Sequence, residues 1–230
     1  PGKAAPRPIR SGEFLCKTPA KALLRDHRPA ILGKMLSLSQ YGVALPGGAE
    51  ALFHARSTVE QLAQEGLLGP IAIVDVDLVN CFGSFQWPSI RDAYAQLLPQ
   101  MLPWEQWRQR SASEVVLPCG RTVHVDRGAG QGEPDGPLKT SLVLGHSVLQ
   151  ARESAKAEHA WVDAWYIDDG QLFCRPQDVE TILRALDERL AAAGATRGLR
   201  SEGHDIETVV RVLKTDPAAP APLSSAYVPD

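Results

Sequence analysis

The chain of 230 residues is 44% hydrophobic and 22% charged, with a formal net charge of −3 at pH 7. Its length suffices for one large or two small domains with a real core, and its composition is ordinary for a globular protein. No apolar run reaches the ~18 residues that a membrane span needs, so no membrane contact is expected.

The chain starts at Pro1 without a methionine or an apolar signal region, which predicts a segment of a longer product; the alternative is that the initial methionine is simply not included. Four cysteines lie far apart in the sequence, and none of them forms a C-x-x-C pair. Reduced thiols of an intracellular protein are therefore expected, rather than a zinc site or a disulfide framework.

The charges are unevenly distributed along the chain. Residues 1–34 hold eight basic and two acidic residues, a balance of +6, so the remainder must sum to −9. A basic segment ahead of an acidic body is typical of a protein that contacts phosphate at one end and binds metal at the other. A solvated basic face is the alternative interpretation, and the charge pattern alone favours that one.

In the first half of the chain, hydrophobic periodicity predicts a helix over residues 49–66. The apolar run IAIVDVDL, residues 71–78, is typical of a buried strand, although it contains two aspartates. Helices are predicted over 88–98, where Pro88 suits the first turn, and near 103–111. Two β-like runs around a turn predict a hairpin over 114–125.

In the second half, a glycine-rich stretch at 128–136 precedes a helix predicted over 137–155. Residues 160–174 read as strand, tight turn and strand, with Asp168-Asp169-Gly170 in the turn. An amphipathic helix over 177–193 and a strand over 208–213 follow. Strands and helices that alternate irregularly, with hairpins between them, predict an α+β fold with a largely antiparallel sheet.

Aspartates inside apolar strands are the anomaly of this sequence. Asp75 and Asp77 alternate with apolar residues and so share one face of the predicted strand, while Asp168 and Asp169 lie at a hairpin tip. A buried carboxylate without a partner is costly, and a divalent cation would supply the missing charge. Each piece has an ordinary alternative, since Asp-Gly is usually a turn and D-x-D is often a strand-end feature.

Five motifs in chain order resemble those of reverse transcriptases of the non-LTR retrotransposon (LINE-like) type. Tyr166-Ile167-Asp168-Asp169 resembles the Y-x-D-D box of that family. DLVNCF at 77–82 resembles the first palm motif, with Cys81 in place of Ala, and GAGQGEP at 128–134 resembles the middle motif, with Glu133 in place of Asp. RPI at 7–9 resembles one fingers element, and QYG with PGGAE within 40–50 resembles another. The resemblance covers roughly residues 3–213.

The resemblance implies a right-hand polymerase with an antiparallel palm sheet. Fingers would occupy residues 1–68 and the palm 69–215, with a fingers-side hairpin at about 113–127. Residues 216–230 are Pro/Ala-rich and are expected to be a linker or disordered tail, and a thumb is absent. The chain would belong to a longer retroelement polyprotein, and its location would be intracellular and compatible with the nucleus.

The implied activity is DNA synthesis on an RNA template, with a DNA primer and deoxynucleoside triphosphates as the other partners. Asp77, Asp168 and Asp169 would be the catalytic residues and the ligands of two Mg²⁺ ions, which Mn²⁺ could replace. Two such ions activate the attacking 3′-hydroxyl and stabilise the leaving pyrophosphate. Asp75 lies two residues before the motif aspartate, and a structural role is expected for it.

The resemblance also implies residues that bind the incoming nucleotide. Phe82 would lie beneath the sugar and exclude a 2′-hydroxyl; a core phenylalanine is the ordinary alternative. Gln131 would hydrogen-bond the nucleotide, and Gly132 would let the backbone approach the base pair. Arg7 would pair with the triphosphate, and Lys3 is a further candidate for that contact.

Two features depart from the family pattern. Asp135, Lys139 and Thr140 stand after the middle motif, where hydrophobic residues are usual. The lysine expected after the third palm motif is not evident, and Arg197 or Arg200 is the candidate substitute.

Two other functions remain open at this point. The chain could be a degenerate reverse-transcriptase-derived domain that binds nucleic acid or a protein partner without polymerising. It could also be a glycosyltransferase that binds Mn²⁺ and a nucleotide sugar through Asp75 and Asp77, although this leaves the Tyr166–Asp169 hairpin unexplained.

Overall fold

The computed structural model describes residues 14–117, 119–155, 161–198 and 208–213. Several sequence-based expectations lie outside the described residues: Lys3, Arg7 and the RPI element at 7–9, Arg200, and the tail at 216–230. Among the described residues, no helix is both long and apolar enough to cross a membrane. All four cysteines are free thiols.

Three helices begin the described part of the chain: α1 (Phe14–Asp26), α2 (Arg28–Ser37) and α3 (Gly48–Gln64). The third agrees with the helix predicted over 49–66. It ends just before Gly66, whose φ of 70° is in the left-handed region that glycine tolerates. The sequence does not predict the first two. Helix α1 contains a proline and buries only Ala20, so no continuous apolar stripe marks it.

A four-stranded sheet forms the centre of the molecule. Its strands are β1 (Ile71–Val76), β4 (Val162–Tyr166), β5 (Asp169–Cys174) and β6 (Val209–Leu213). The spatial order is β4-β5-β1-β6, and every pair is antiparallel. The predicted α+β class with an antiparallel sheet is therefore confirmed.

The central strand β1 is covered on both faces, which explains its apolar run. Ala72, Val74 and Val76 point into the main core. On the other face, Asp75 forms an ion pair with Arg56 of α3. Successive side chains of a strand point to opposite faces, so this one strand separates the helical core from α3.

The main core lies between the sheet and three helices: α5 (Trp87–Leu97), α7 (Gly136–Ser154) and α8 (Val179–Ala193). Helix α7 contacts both α5 and α8, and 12 of its 19 residues are buried. Burial on nearly all sides explains why the helix has no clear polar face in the sequence. All three helices were predicted, with boundaries that agree within two residues.

Shorter elements connect these parts. Helix α4 (Cys81–Ser84) follows β1, and α6 (Leu102–Arg108) ends three residues earlier than the predicted helix near 103–111. The predicted hairpin is confirmed as β2 (Ser113–Val116) paired antiparallel with β3 (Thr122–Val125). None of its described side chains is buried, so the ribbon projects from the body of the protein.

Candidate active site at the ends of the central strands

The two central strands bring aspartates of both sequence motifs to one edge of the sheet. Val76 at the end of β1 pairs with Gly170 near the start of β5, so one further step of the register places Asp77 opposite Asp169. Asp168 lies immediately before Asp169, in the tight turn from β4. Asp77 and Asp169 line a cleft of about 260 Å³ that reaches Leu52 of α3.

The thiol of Cys81 reports the electrostatics of this edge. Burial raises the pKa of Cys81 well above its ordinary value, and the negative charges of Asp168, Asp77 and Asp169 raise it further. A thiolate at Cys81 would therefore be repelled by all three carboxylates. The three aspartates concentrate negative charge in one small region, which is an environment that attracts a cation.

The donor set suits a hard divalent cation, because carboxylate oxygens are the ligands that Mg²⁺ prefers. Asp77 Oδ1 accepts a 2.7 Å hydrogen bond from the Leu78 N–H. Its other oxygen has no partner among the described residues. Within the described ranges, however, no three His, Cys, Asp or Glu side chains stand close enough to form a complete metal-binding cluster. The carboxylates are neighbours but not a closed ligand set.

Asp75 does not join this group as a ligand. Its Oδ1 accepts from Arg56 Nη1 at 2.7 Å and from Gln171 Nε2 at 3.3 Å. The ion pair ties α3 to the central strand, which agrees with the structural role expected for Asp75. The strand ends at Val76, one residue before Asp77. Asp75 lines the same cleft as Asp77, but its Oδ1 is already bound by Arg56 and Gln171.

Helix α4 begins at Cys81, a short loop after Asp77. Asn80 enters it with φ 45°, and the buried Cys81 and Phe85 anchor it in the core. Phe82, between them, is only half-buried, so its ring is not part of the main core. This side chain lies one short turn after Asp77 and remains partly accessible to solvent.

The glycine-rich loop that holds Gln131 docks on this helix. The carbonyl of Phe82 accepts from the Ala129 N–H at 2.7 Å. Gly128 has φ 83°, and a Cβ at that position would lie 2.7 Å from the Phe82 carbonyl oxygen. Two residues beyond Ala129, Gln131 is half-buried, and Gly132 is exposed with φ 96°. The residues proposed to contact the nucleotide, Phe82 and Gln131, therefore come from two segments joined by backbone hydrogen bonds.

Helix α6 supports the same loop from behind. Arg108 Nη2 lies 3.0 Å from Glu133 Oε2, and Trp104 Nε1 donates to Asp135 Oδ2 at 3.0 Å. Glu133, which stands where the resembled motif has an aspartate, is thus a buried partner of Arg108. Both ion pair and indole bond fix the loop against the core.

A buried charge cluster explains the polar residues after the middle motif. Lys139 Nζ lies 3.0 Å from Glu105 Oε2 and 3.2 Å from Asp135 Oδ2, and all three side chains are almost fully buried. Burial raises the pKa of Glu105, and the charge of Lys139 lowers it part of the way back. An internal ion-pair cluster therefore occupies the positions after the middle motif, where hydrophobic residues were expected.

Arg197 does not reach the cleft. Its guanidinium donates two hydrogen bonds to Asp187 of α8, at 2.8 Å and 2.7 Å, and its side chain is 1% exposed. This bidentate pair commits the buried guanidinium of Arg197 to the half-buried Asp187. The suggestion that Arg197 substitutes for the missing lysine is therefore wrong, because its guanidinium is buried against α8.

Comparison with solved structures finds telomerases from two Candida species. The apo telomerase from Candida tropicalis, truncated from the C-terminal domain, matches 90% of this chain at 10% identity with a TM-score of 0.55, and the match covers 48% of that chain. The telomerase from Candida albicans in complex with a TWJ fragment of telomeric RNA matches 93% at 13% identity with a TM-score of 0.52, and covers 39% of that chain. No protein-family model matches the sequence, and no curated protein matches it.

These matches concern the fold. Telomerase is a reverse-transcriptase-related enzyme, so the chain has a reverse-transcriptase-like fold. It spans less than half the length of either telomerase chain.

Proposed function

We propose that this chain is the fingers-and-palm core of a reverse transcriptase of the non-LTR retrotransposon type, which extends a DNA primer on an RNA template. The observation that carries the proposal is the meeting of Asp77 and Asp169 at neighbouring strand ends, with Asp168 beside them, in a reverse-transcriptase-like fold. The sheet with α5, α7 and α8 would be the palm. The fingers would comprise α1 to α3 and the β2–β3 ribbon.

The three aspartates would hold two Mg²⁺ ions. Bound there, the ions would supply positive charge against the attacking 3′-oxygen and the departing pyrophosphate. The Leu78 N–H orients Asp77 by binding one carboxylate oxygen and leaves the other for a cation. The negative charge of the three aspartates, which acts together on Cys81, supports cation binding at this edge.

The other residues of the site would orient the nucleotide. Phe82 would lie beneath the sugar, and Gln131 would hydrogen-bond the incoming nucleotide from the loop docked on α4. The φ of 96° at Gly132 suits a backbone that approaches the base pair without a side chain. Because these residues belong to one hydrogen-bonded unit, they would keep their spacing when substrate binds.

The direct test is incorporation of deoxynucleotides into a DNA primer on an RNA template, with Mg²⁺ or Mn²⁺. Because the chain spans less than half of the matched telomerases, two proteins are assayed: the chain alone, and the chain joined to a thumb domain. Template-dependent extension supports the proposal. A folded chain that binds primer–template and never extends it favours the alternative, a domain that binds nucleic acid or a protein partner without polymerising.

Nucleic-acid affinity should fall steeply with salt. Lys21, Arg25 and Arg28 of α1 and α2 are exposed and recur at helical spacing. If they contact phosphates, binding releases counterions, and each lost contact reduces the slope of log affinity against log salt by roughly 1. Fluorescence anisotropy with a labelled primer–template would measure the slope in Lys21→Gln and Arg28→Gln. Arg184→Gln, on the exposed side of α8, should leave it unchanged, and an affinity independent of salt would refute the phosphate contacts.

Replacing Phe82 should relax the choice of sugar. Its ring is half-buried and one short turn from Asp77, so Phe82→Ala opens space beneath the sugar and retains the carboxylates. Ribonucleotide use relative to deoxyribonucleotide use should rise tenfold or more, which corresponds to about 1.4 kcal/mol of differential transition-state binding. Incorporation efficiencies for the two nucleotides give the ratio.

Phe85 provides the matched control, because it lies in the same segment and is 0% exposed. Phe85→Ala should cost about 3–5 kcal/mol of stability and leave the sugar ratio unchanged. An active Phe82→Ala enzyme with wild-type sugar discrimination would instead assign Phe82 to packing.

A further inference from the structure

The turn that precedes the two catalytic aspartates has a strained backbone. Ile167 lies between Tyr166 and Asp168, and its φ is 61°. A β-branched residue rarely adopts this left-handed conformation, because its side chain collides with its own backbone. Such strain persists only where the surroundings impose it. The direction in which Asp168 leaves the strand therefore depends on what holds Ile167.

One distant side chain satisfies both backbone groups of Ile167. Gln40 Oε1 accepts from the Ile167 N–H at 2.8 Å, and Gln40 Nε2 donates to the Ile167 carbonyl at 2.8 Å. The residues are 127 positions apart, and Gln40 is 1% exposed. A primary amide can do this because it carries a donor and an acceptor side by side, as a backbone strand would.

The backbone around Gln40 places this amide. Trp165 N–H donates to the Ser39 carbonyl at 2.8 Å, and Tyr41 N–H donates to the Trp165 carbonyl at 2.7 Å. Strand β4 is an edge strand, so this short segment covers its outer side. Next in the chain, Gly42 passes so close that a Cβ there would lie 2.6 Å from Ile167 Cγ1. Residues 39–42 therefore pack closely against the turn and hydrogen-bond to it.

We propose that Gln40 is a positioning residue that holds Ile167 in the left-handed conformation and so fixes where Asp168 and Asp169 present their carboxylates. The role of Gln40 in cation binding rests on the proposed function, whereas its hydrogen bonds to the backbone of Ile167 do not. Gln40 itself touches no substrate in this scheme; it acts through the backbone of Ile167. The Q-Y-G segment thereby links the part of the chain before α3 to the catalytic edge of the sheet.

The test compares Gln40→Met, which keeps the length of the side chain and removes both hydrogen bonds, with Gln109→Met. Gln109 is also buried, and it also donates one hydrogen bond, to Glu105, and accepts one, from Arg91, but it lies at the C-terminal end of α6. Two properties are measured in the full chain: amide hydrogen exchange at Ile167 to Asp169, and affinity for Mn²⁺ by calorimetry. Thermal melting monitors folding of both variants.

In Gln40→Met the amide of Ile167 should exchange at least tenfold faster, and Mn²⁺ should bind at least tenfold more weakly. Gln109→Met should lose comparable thermal stability with both properties unchanged. Gln40→Glu, which keeps the acceptor for the Ile167 N–H, should fall between wild type and Gln40→Met in amide exchange.

Unchanged exchange at Ile167 in a folded Gln40→Met protein would overturn the proposal. Faster exchange with wild-type Mn²⁺ affinity would also overturn it, because the turn would then not set the carboxylates. If Mn²⁺ binding to the wild-type chain is insensitive to Asp168→Asn, the proposed function fails instead, and amide exchange still decides whether Gln40 holds the turn.

Discussion

Asp168→Asn should lower the rate of primer extension by about a thousandfold or more and leave the protein folded. The substitution keeps the size of the side chain and removes one of the three negative charges that raise the pKa of Cys81. A cation held by fewer carboxylates supplies less charge to the transition state, and a thousandfold loss corresponds to ~4 kcal/mol. Single-nucleotide extension under single-turnover conditions, with Mg²⁺ varied, would measure it.

Asp77→Asn should show the same loss, because Asp77 faces Asp169 across the two central strands. Asp75→Asn is the matched control: it changes the same residue type two positions away, but Asp75 is bound by Arg56 and Gln171. That variant should lose stability and retain most of its extension rate per folded molecule. Equal rates for wild type and Asp168→Asn would remove the aspartates from the catalytic mechanism.

The core of the fold could be predicted from local patterns. A short apolar run predicts strand β1, and apolar residues at helical spacing predict α8. Both could be predicted because the pattern of buried positions in one segment depends mainly on its own sequence. The order of the two aspartate motifs along the chain also led to one edge of one sheet. That step needed the family resemblance, since periodicity alone does not say which strands are neighbours.

The parts that the sequence did not predict are contacts between distant residues. Gln40 and Ile167 are 127 positions apart, and neither residue type indicates that the Gln40 amide will hydrogen-bond both backbone groups of a strained turn. Arg197 was a candidate substitute for the missing lysine, yet Asp187, ten positions earlier on α8, binds its guanidinium instead. Charge on a sequence shows that a partner is needed, but only the fold shows which partner is within reach.

Lys139, which departs from the sequence pattern of the resembled motif, lies at the centre of a buried ion-pair cluster. A lysine on a helix that is buried nearly all round would be costly alone, and its aspartate four residues earlier would be equally costly. With Glu105 of α6 as the third member, the charges offset one another. The cluster joins α6 to the start of α7, and Asp135 is also the residue that receives the indole bond of Trp104.

Lys139→Met should therefore reduce the free energy of unfolding by about 3–5 kcal/mol at pH 8. The volume is nearly conserved, but two buried carboxylates lose their cation, and breaking a buried pair costs this much because it leaves uncompensated charge. Lys21→Met, on the exposed side of α1, should change stability by less than about 0.5 kcal/mol. Urea unfolding of each variant gives both values.

The pH dependence identifies the cause of that loss. Burial raises the pKa of Glu105 above its ordinary 4.5, and Lys139 opposes this rise, so Lys139→Met should raise the pKa further. A carboxyl whose pKa is higher in the folded state binds more protons there, and stability falls as pH increases from 4.5 through the folded pKa. The deficit of Lys139→Met should accordingly be smaller at pH 5 than at pH 8. Adding Glu105→Gln should recover part of it at pH 8, because the double variant removes one of the two orphaned charges. A deficit that is the same at both pH values, and is not relieved by Glu105→Gln, would mean that Lys139 stabilises the protein through packing of its aliphatic chain.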